Sequence, residues 1–315
     1  MTAVATTTRV AGGLRKRANV GDRVLIGLTM AATILILAML AVILMDIVVG
    51  GARTLSWEFI SQAPRDGMTH GGIFPAIFGT VVLTLLMTIV AVPAGVATAV
   101  YLTEYAPADS RFARAIRVCI ANLAGVPSIV FGLFGLGFFI ATVGHGIDAA
   151  AFGGRPTYGT PSLIWAALTL AILTLPVVVV STEEALRSVP RELRDGSLAL
   201  GATKFQTIVR VILPQALGGI LTGGILAVSR GAGEVAPIMF TGAAYFLPDL
   251  PTHLNDQFMN LGYHVYVLAT QSPDVDKTKP LLYGTVLVLL LLTFLLNLVA
   301  IAIRIRFRRR MAAAR

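Results

Sequence analysis

Hydrophobic residues in this chain fall into six long runs, separated by shorter segments that carry most of the charge. A helix needs roughly 20 residues to cross a hydrocarbon core of about 30 Å, and each run is close to this length or longer. The predicted spans cover residues 24–49, 73–102, 116–143, 163–180, 218–239 and 281–303. The fourth is the weakest, because its apolar run is short and contains Pro176. The pattern predicts an all-α membrane protein with six transmembrane helices.

The six predicted helices form a single transmembrane domain, residues 23–310, between two tails. Residues 1–22 are expected to be a disordered tail, because no small-residue cleavage site follows a short apolar core there. Residues 311–315 form the second tail. Two connecting segments are long enough to have structure of their own, namely 182–214 and 242–280.

Composition supports the membrane class, since 56% of the 315 residues are hydrophobic and only 13% are charged. Charged residues make up about a quarter of a typical soluble domain. An excess of basic residues in a soluble protein suggests that it binds nucleic acid. Here, however, the basic residues are concentrated in the segments on one side of the predicted spans. Nineteen of the 25 lie on one side: Arg9, Arg15, Lys16, Arg17, Arg23, Arg111, Arg114, Arg117, Arg187, Arg191, Arg194, Lys204, Arg210, Arg304, Arg306, Arg308, Arg309, Arg310 and Arg315.

This sorting predicts the orientation in the membrane. The opposite loops carry only Arg53, Arg65, Arg155, Lys277 and Lys279. Lys and Arg are retained on the cytoplasmic side, so both termini and segment 182–214 are predicted to be cytoplasmic. Nucleic acid is not an expected partner. The terminal R-I-R-F-R-R-R is interpreted as a topological anchor, and specific binding of anionic membrane lipid is the alternative.

Motifs that are missing from the sequence narrow the mechanism. The chain has no G-x-x-x-x-G-K-[ST] phosphate-binding loop, no dinucleotide-type glycine loop and no cluster of catalytic residues within the spans. Its four histidines match no metal template, so neither catalytic nor metal-ligating residues are predicted. Ion-coupled carriers place several ionisable groups at mid-membrane, whereas the deep charges here are essentially Arg230 and Glu234. We expect no cofactor on this chain and an energy source on a partner.

The polar segment 182–214 has the signals of a folded element. The run 191–200 is amphipathic and predicts a short helix, with Gly201 at the position where a carboxyl-terminal cap needs a left-handed residue. Thr203 followed by Gln206 predicts a capping box for a second short helix. The expected object is two short helices joined at Gly201, whose small residues allow another protein to approach closely. An ordinary amphipathic loop lying on the lipid headgroups is the alternative.

This segment resembles the E-A-A-x-x-x-G, nine residues, I-x-L-P signature of the permeases of ABC importers. Asp195, Gly196 and Ser197 stand at the E-A-A positions, Gly201 at the glycine, and Val211, Leu213 and Pro214 at the end. The resemblance implies that the short helix docks in a groove of a cytoplasmic ATPase. The implied coupling residues are Asp195, Gly196, Ser197, Leu200, Gly201, Leu213 and Pro214. Gly196 departs from the common alanine, which costs a helix interior about 0.8 to 1 kcal/mol.

Arg230 and Glu234 lie in S-R-G-A-G-E-V-A-P on the predicted fifth span, one helical turn apart, so their side chains can meet. A lone charge at the bilayer centre costs about 2.5 to 3.5 kcal/mol on insertion scales, so such residues pair and mark a pathway. Two interpretations stay open. The pair is either a neutralised clamp between helices or an arginine that offers a passing anion a transient site, and both can hold.

Longer stretches resemble the PstA-type permease subunit of bacterial phosphate importers. They are V-P-A-G-V-A-T-A-V-Y-L-T-E-Y-A-P at 92–107, A-G-V-P-S-I-V-F-G-L-F-G-L-G at 124–137, T-E-E-A-L-R-S-V-P at 182–190 and S-R-G-A-G-E-V-A-P-I-M-F-T-G at 229–242. The resemblance implies a type I ABC importer fold in the bacterial plasma membrane. It also implies a PstC-type partner permease, a PstB-type ATPase dimer that binds ATP and magnesium, and an external phosphate-binding protein. A permease for sulfate, molybdate or another oxyanion is the first alternative. A self-sufficient anion channel or secondary carrier is the second.

Overall fold

The structure is a computed structural model that describes residues 20–65, 70–107, 109–272 and 275–313. Its helices are α1 (Val20–Ala52), α2 (Trp57–Ser61), α3 (Phe74–Val100), α4 (Arg111–Ala124), α5 (Ser128–Phe134), α6 (His145–Ala151), α7 (Leu163–Arg187), α8 (Arg191–Ala199), α9 (Lys204–Thr207), α10 (Leu213–Gly231), α11 (Ala236–Thr241), α12 (Leu261–Thr270) and α13 (Val275–Ala313). Three π-helical segments extend them, Tyr101–Tyr105, Gly135–Gly144 and Ile208–Ile212. Two short antiparallel strands, β1 (Pro64–Arg65) and β2 (His70–Gly71), form the sheet.

Six helices of the described chain are long and apolar enough to cross a membrane, which confirms the predicted all-α membrane fold. They are Gly21–Ala52, Phe74–Tyr105, Ser128–Ala151, Leu163–Arg187, Lys204–Gly231 and Thr278–Phe307. We call them the first to sixth spans. The chain divides into two units, of which one contains the first span up to Val49 and the other begins at Gly50. All contacts described below lie within the second unit.

The third span differs from its predicted bounds, 116–143. Helix α4 ends at Ala124, and a separate helix begins at Ser128 and continues to Ala151. The break coincides with Gly125 as the carboxyl-terminal cap of α4 and with Pro127, which disfavours helical geometry in the residue before it. Helix α4 carries three arginines on its length, so it is an amphipathic helix that precedes the span.

The fifth span also differs from its prediction, 218–239. The helix runs continuously from Lys204 to Gly231, so the predicted second short helix is the beginning of the span. Pro214 does not interrupt it. The π-helical segment Ile208–Ile212 changes the hydrogen-bond register just before the proline, which has no N–H to donate. At the other end, the chain leaves the helix at residues 232–235 and resumes in α11.

The fourth span is the most buried of the six, although its sequence gave the weakest prediction. Its side chains at Leu170, Leu173 and Val178 are almost completely buried. Helices α3 and α10 pack on it and on each other. A Cβ at Gly95 of α3 would lie 2.6 Å from Cγ1 of Val178, and a Cβ at Gly223 of α10 would clash with Ser181. Small residues therefore let the backbones of three spans approach closely.

The connection between α11 and α12 covers the start of the fourth span. The first N–H groups of a helix have no partner inside it, and here they donate to carbonyls of this connection. Leu163 N–H donates to the carbonyl of Asp256 at 2.9 Å, and Ile164 N–H to that of Leu254 at 2.9 Å. The predicted external segment 242–280 is therefore largely structured, and it includes the whole of α12.

Helix α12 contains a histidine whose burial predicts a pH effect. Burial lowers the pKa of His264 to about 4, and its Nδ1 has no hydrogen-bond partner within the described chain. Unfolded histidine takes up a proton near pH 6.5, so between pH 6.5 and 4 the unfolded state binds more protons than the folded state. Stability is therefore fully present above about pH 6.5 and decreases toward pH 4 by up to about 1.4 kcal/mol per unit.

We expect the thermal midpoint of the purified protein to decrease between pH 7 and pH 5. In a His264→Phe variant, which keeps a planar ring without a titrating group, the decrease should be smaller. Thermal unfolding of both proteins across this pH range measures the difference. Parallel pH profiles for the two proteins would contradict the assignment.

Candidate functional sites

The predicted turn at Gly201 is present in the structure. Helix α8 ends at Ala199, and Gly201 adopts a φ of 84°, in the left-handed region that favours glycine. The capping box is complete, because Thr203 N–H donates to Oε1 of Gln206 at 2.9 Å and Gln206 N–H donates to Oγ1 of Thr203 at 3.2 Å. We call residues 191–207 the elbow. One arm is α8, and the other arm is the first turn of the fifth span.

The outer surface of the elbow exposes apolar side chains. Helix α8 has no buried residue. Leu200 is 91% exposed and Phe205 is 67% exposed, one on each side of Gly201, and Leu198 is also exposed. Exposed apolar patches with polar surroundings mark interaction sites. Sequence reasoning missed Phe205 and Leu198, and the available signal was their apolar character within an otherwise polar segment.

Five of the seven predicted coupling residues lie at the elbow. Asp195, Gly196, Leu200 and Gly201 are exposed, and Ser197 lies inward, with its Oγ 2.9 Å from Oγ1 of Thr207 on the other arm. The remaining two are elsewhere.

Leu213 and Pro214 lie in the fifth span and do not share the exposed surface of the elbow. The helix begins at Lys204, and Leu213 lies nine residues further along it, roughly 14 Å at 1.5 Å per residue. Leu213 packs against a buried cluster that α4 forms with the second, fourth and fifth spans at their ends nearest the elbow. The end of the signature therefore contributes packing beneath the elbow and no part of its surface.

The inner side of the elbow is held by charges that sequence reasoning did not find. Arg194 Nη2 lies 3.0 Å from Oε1 of Glu104, at the end of the second span. The same guanidinium donates to the carbonyls of Leu186 at 2.6 Å and Val189 at 2.7 Å. Ninety positions separate the two charged residues in the chain, and no spacing rule connects them.

A cleft of about 610 Å³ lies beneath α8, and Arg194 extends across it. Its charged lining comprises Glu104, Arg117, Arg187, Arg191, Arg194 and Asp195. Glu183 of the fourth span pairs with Arg117 at 3.1 Å and with Arg187 at 3.3 Å. The arginines that predicted the membrane orientation therefore also hold helix ends together.

Arg230 and Glu234 form the predicted ion pair, with Nε 3.6 Å from Oε1. The prediction placed both residues on one continuous helix, and this is wrong. Arg230 is in the last turn of α10, whereas Glu234 lies in the non-helical segment 232–235. Gly231 and Gly233 weaken the helix at this point, and Pro237 follows in the first turn of α11.

The non-helical segment lies within the predicted hydrophobic span 218–239. Gly233 N–H donates to the carbonyl of Arg230 at 3.3 Å, and Glu234 N–H to that of Gly231 at 3.3 Å. Irregular backbone at membrane depth is tolerated where it is buried in protein or lines a water-filled cavity. The Arg230 side chain is 40% exposed and that of Glu234 is 18% exposed. The break thus presents a cation that one carboxylate partly neutralises.

Comparison with known proteins identifies the family to which a chain of this architecture belongs. Residues 91–313 match the family model described as the binding-protein-dependent transport system inner membrane component. The chain is 34% identical over 223 residues to the probable ABC transporter permease protein YqgI of Bacillus subtilis, covering 71% of each chain. It is 32% identical over 270 residues to the phosphate transport system permease protein PstA of Haemophilus influenzae, covering 85% of this chain and 89% of the relative. The chain belongs to this permease family, in its PstA-type branch.

A third relative is more similar over a shorter segment. The phosphate transport system permease protein PstA 1 of Mycobacterium tuberculosis strain H37Rv is 43% identical over 169 residues. The match covers 54% of this chain and spans half the length of that relative.

Solved structures show the same fold at low identity. The bacterial alginate ABC transporter, in complex with its periplasmic protein, matches with a TM-score of 0.65 at 13% identity, over 89% of this chain and 93% of that one. The MetNI methionine ABC transporter matches with a TM-score of 0.54 at 19% identity, over 75% and 94%. Permeases of this type work with a second permease, an ATPase and a binding protein, and both the elbow and the Arg230 break lie within the family match.

The left-handed conformation of Gly201 can be tested with a matched pair of glycine substitutions. Any side chain at Gly201 or Gly196 would enter open space, so only the backbone conformation distinguishes the two positions. Gly201→Val should cost at least about 1 to 2 kcal/mol, because a β-branched residue disfavours positive φ. Gly196→Ala should stabilise α8 by about 0.8 to 1 kcal/mol.

Co-purification of the permease with its ATPase measures the effect on the elbow. We expect Gly201→Val to reduce the retained ATPase and Gly196→Ala to leave it unchanged or increased. Full retention of the ATPase by Gly201→Val would show that the turn is not required for binding.

Proposed function

We propose that this chain is one half of the membrane pore of an ATP-driven importer of inorganic phosphate. The other components are a PstC-type permease, a PstB-type ATPase dimer that binds ATP and magnesium, and an external phosphate-binding protein. The observation that carries the proposal is the match to the PstA protein of Haemophilus influenzae, because it extends over most of both chains. ATP hydrolysis is assigned to the partner.

The proposed orientation in the bacterial plasma membrane has both termini and the elbow in the cytoplasm. Its support is the distribution of Lys and Arg, which are retained on the cytoplasmic side of membrane proteins. Glu104, Arg117, Glu183 and Arg194, whose ion pairs join four elements, all lie on that side.

The elbow is the proposed docking surface for the ATPase. Its exposed apolar side chains, the small exposed residue Gly196 and the absence of buried residues from α8 suit insertion into a groove, and Ser197 supports this surface from within by its contact with Thr207. Asp195 on α8 and Leu200, the residue that follows this helix, complete the proposed contact, and Gly201 fixes the angle between the arms. In the same proposal Leu213 holds the second arm in the packed cluster, and Pro214 follows it in the fifth span.

Arg230 is the proposed site at which phosphate is recognised during passage. A guanidinium matches the geometry of phosphate oxygens and stays charged when partly desolvated. Glu234 neutralises part of its charge, which keeps the interaction with phosphate transient. This combination permits an anion to enter and also to leave.

Substitution of Arg230 tests this role in the complete transporter. Loss of a hydrogen bond to a charged group costs about 1.5 to 3 kcal/mol, so we expect Arg230→Ala to lower phosphate uptake by more than about tenfold. Arg230→Lys should retain part of the uptake, because it keeps the charge and loses the planar fork. Arg155→Ala, at an exposed arginine outside the spans, is the matched control.

Two measurements accompany this test. Co-purification with the partner permease and the ATPase should be unchanged in every variant, which separates transport from assembly. Uptake at the normal rate by Arg230→Ala would remove the proposed role of Arg230 and leave the importer assignment intact.

Reconstitution decides the substrate and the energy source. In liposomes with all four components, we expect uptake of phosphate that requires both ATP and the binding protein, with sulfate and molybdate excluded. The chain reconstituted alone should show no anion flux without ATP. Preferential uptake of sulfate or molybdate would favour the oxyanion alternative, and flux through the single chain would favour the channel or carrier.

A further inference from the structure

We infer that Glu104 and Tyr105, at the end of the second span, hold both arms of the elbow, and we call these two residues the clamp. Through the clamp, the movement of the elbow that the ATPase drives is transmitted to the second span. This inference rests on the proposed function, because it requires an ATPase at the elbow. Neither residue belongs to the signature of the elbow, and neither lies on its exposed apolar surface.

The first arm is held by a mostly buried ion pair. The side chains of Glu104 and Arg194 are 10% and 20% exposed, and their charged atoms are 3.0 Å apart. Solvent and salt screen such a pair much less than a surface pair. Removal of one partner leaves a poorly solvated charge, so the two side chains stay together when α8 moves.

Arg194 also fixes α8 to the fourth span. Its hydrogen bonds go to the carbonyl of Leu186, in the last turn of α7, and to the carbonyl of Val189, just beyond that helix. One guanidinium therefore links α8 to the second and fourth spans across the cleft of about 610 Å³. Helix α8 has no buried side chain of its own, so this arginine is its principal anchor.

The second arm is held by the neighbouring residue. The Lys204 ammonium lies 5.1 Å from the centre of the Tyr105 ring, within the range of a cation–π interaction. Lys204 is the first residue of α9 and thus of the fifth span. Two adjacent residues of the second span therefore contact the two arms on either side of Gly201.

The backbone that carries the clamp is π-helical. Segment Tyr101–Tyr105 closes with Ala106 N–H donating to the carbonyl of Tyr101 at 2.8 Å, and Arg117 of α4 donates to the carbonyl of Leu102 at 2.7 Å. Leu102 itself is buried in the cluster beneath the elbow. π-Helical turns are frequent at functional sites. The hydrogen bonds from Ala106 and from Arg117 hold this one in place.

The second span also contacts the membrane break near its middle. A Cβ at Gly231 would clash with Met87 of α3, which is fully buried. Seventeen residues separate Met87 from Glu104, about 25 Å along a helix. The second and fifth spans are thus in contact at two places, through Tyr105 and Lys204 beside the elbow and through Met87 and Gly231 beside Arg230. Motion of the elbow therefore reaches the Arg230–Glu234 pair through two connected helices.

The experiment uses the complete reconstituted transporter and three pairs of variants. Glu104→Gln keeps the shape and removes the charge, and Glu184→Gln, at an exposed carboxylate on the fourth span, is its control. Tyr105→Leu removes the aromatic ring, and Tyr105→Phe keeps it. The double variant Glu104→Gln with Arg194→Gln is compared with Glu104→Gln alone.

We expect Glu104→Gln and Tyr105→Leu to retain the ATPase and its hydrolysis of ATP, and to transport less phosphate per ATP. The decrease should be at least about fivefold, the lower end of typical coupling between sites. Both controls should remain near the wild type. The double variant is also compared with Arg194→Gln alone, and its loss should be smaller than the sum of the two single losses, because residues that act as a pair are not additive.

A thiol reporter tests transmission without relying on uptake. Gly233 is exposed, and a Cβ there would contact nothing closer than 4.0 Å, so Gly233→Cys in a Cys119→Ser background places a single thiol at the break. We expect its labelling rate to change when a non-hydrolysable ATP analogue binds the ATPase. The change should be lost in Glu104→Gln and kept in Tyr105→Phe.

The outcomes separate this inference from the proposed function. Normal phosphate transport per ATP and a normal reporter response in both Glu104→Gln and Tyr105→Leu would overturn the clamp while the importer assignment stands. Absence of ATP-dependent phosphate uptake in the wild-type complex would overturn the proposed function itself. If Glu104→Gln fails to assemble, the Tyr105 pair and its reporter response still decide the inference.

Discussion

Close packing of the second and fifth spans on the fourth is the constraint on which the rest of the structure depends. Lipid chains are as apolar as leucine, so helices in a bilayer associate through close packing. Gly95 and Gly223 remove the side chains that would separate the backbones at Val178 and Ser181. The elbow and the membrane break both belong to helices whose positions this contact fixes.

Ion pairs complete the same arrangement where the helices end. Glu183 joins α4 to the fourth span, and Glu104 joins α8 to the second. These carboxylates are 13% and 10% exposed, and a buried charge that loses its partner is strongly destabilising. The ion pairs therefore specify which helix ends meet. Close contacts at glycines therefore fix the distances between helices inside the membrane. Ion pairs of arginines determine which helix ends are joined near the membrane surface.

Periodicity and capping rules predicted much of this structure, because they depend on residues close in sequence. Six apolar runs gave six helices, and Thr203 with Gln206 gave a correct capping box at the elbow. The fourth span was rated the weakest prediction in part because of Pro176, but this proline lies inside a continuous helix and does not end it. The ends of the third and fifth spans were wrong, since Pro127 breaks a helix and Pro214 does not.

Contacts between distant segments were beyond prediction from local sequence. Glu104 and Arg194 are ordinary charges until the fold brings them together, and the contact of Met87 with Gly231 depends on two helices crossing. The pairing of Arg230 with Glu234 was correct although the helix ends between them, because a tight turn also brings these positions together.

Helix α8 has a thermodynamic consequence of its own. Without buried side chains it gains almost nothing from the hydrophobic effect, and nine residues are too few for a stable isolated helix. In the isolated subunit it can open locally while the six spans stay folded, so its amide hydrogens exchange independently of the membrane core. A protein that binds this helix must then supply the free energy of ordering it, which lowers the net affinity and keeps the attachment reversible.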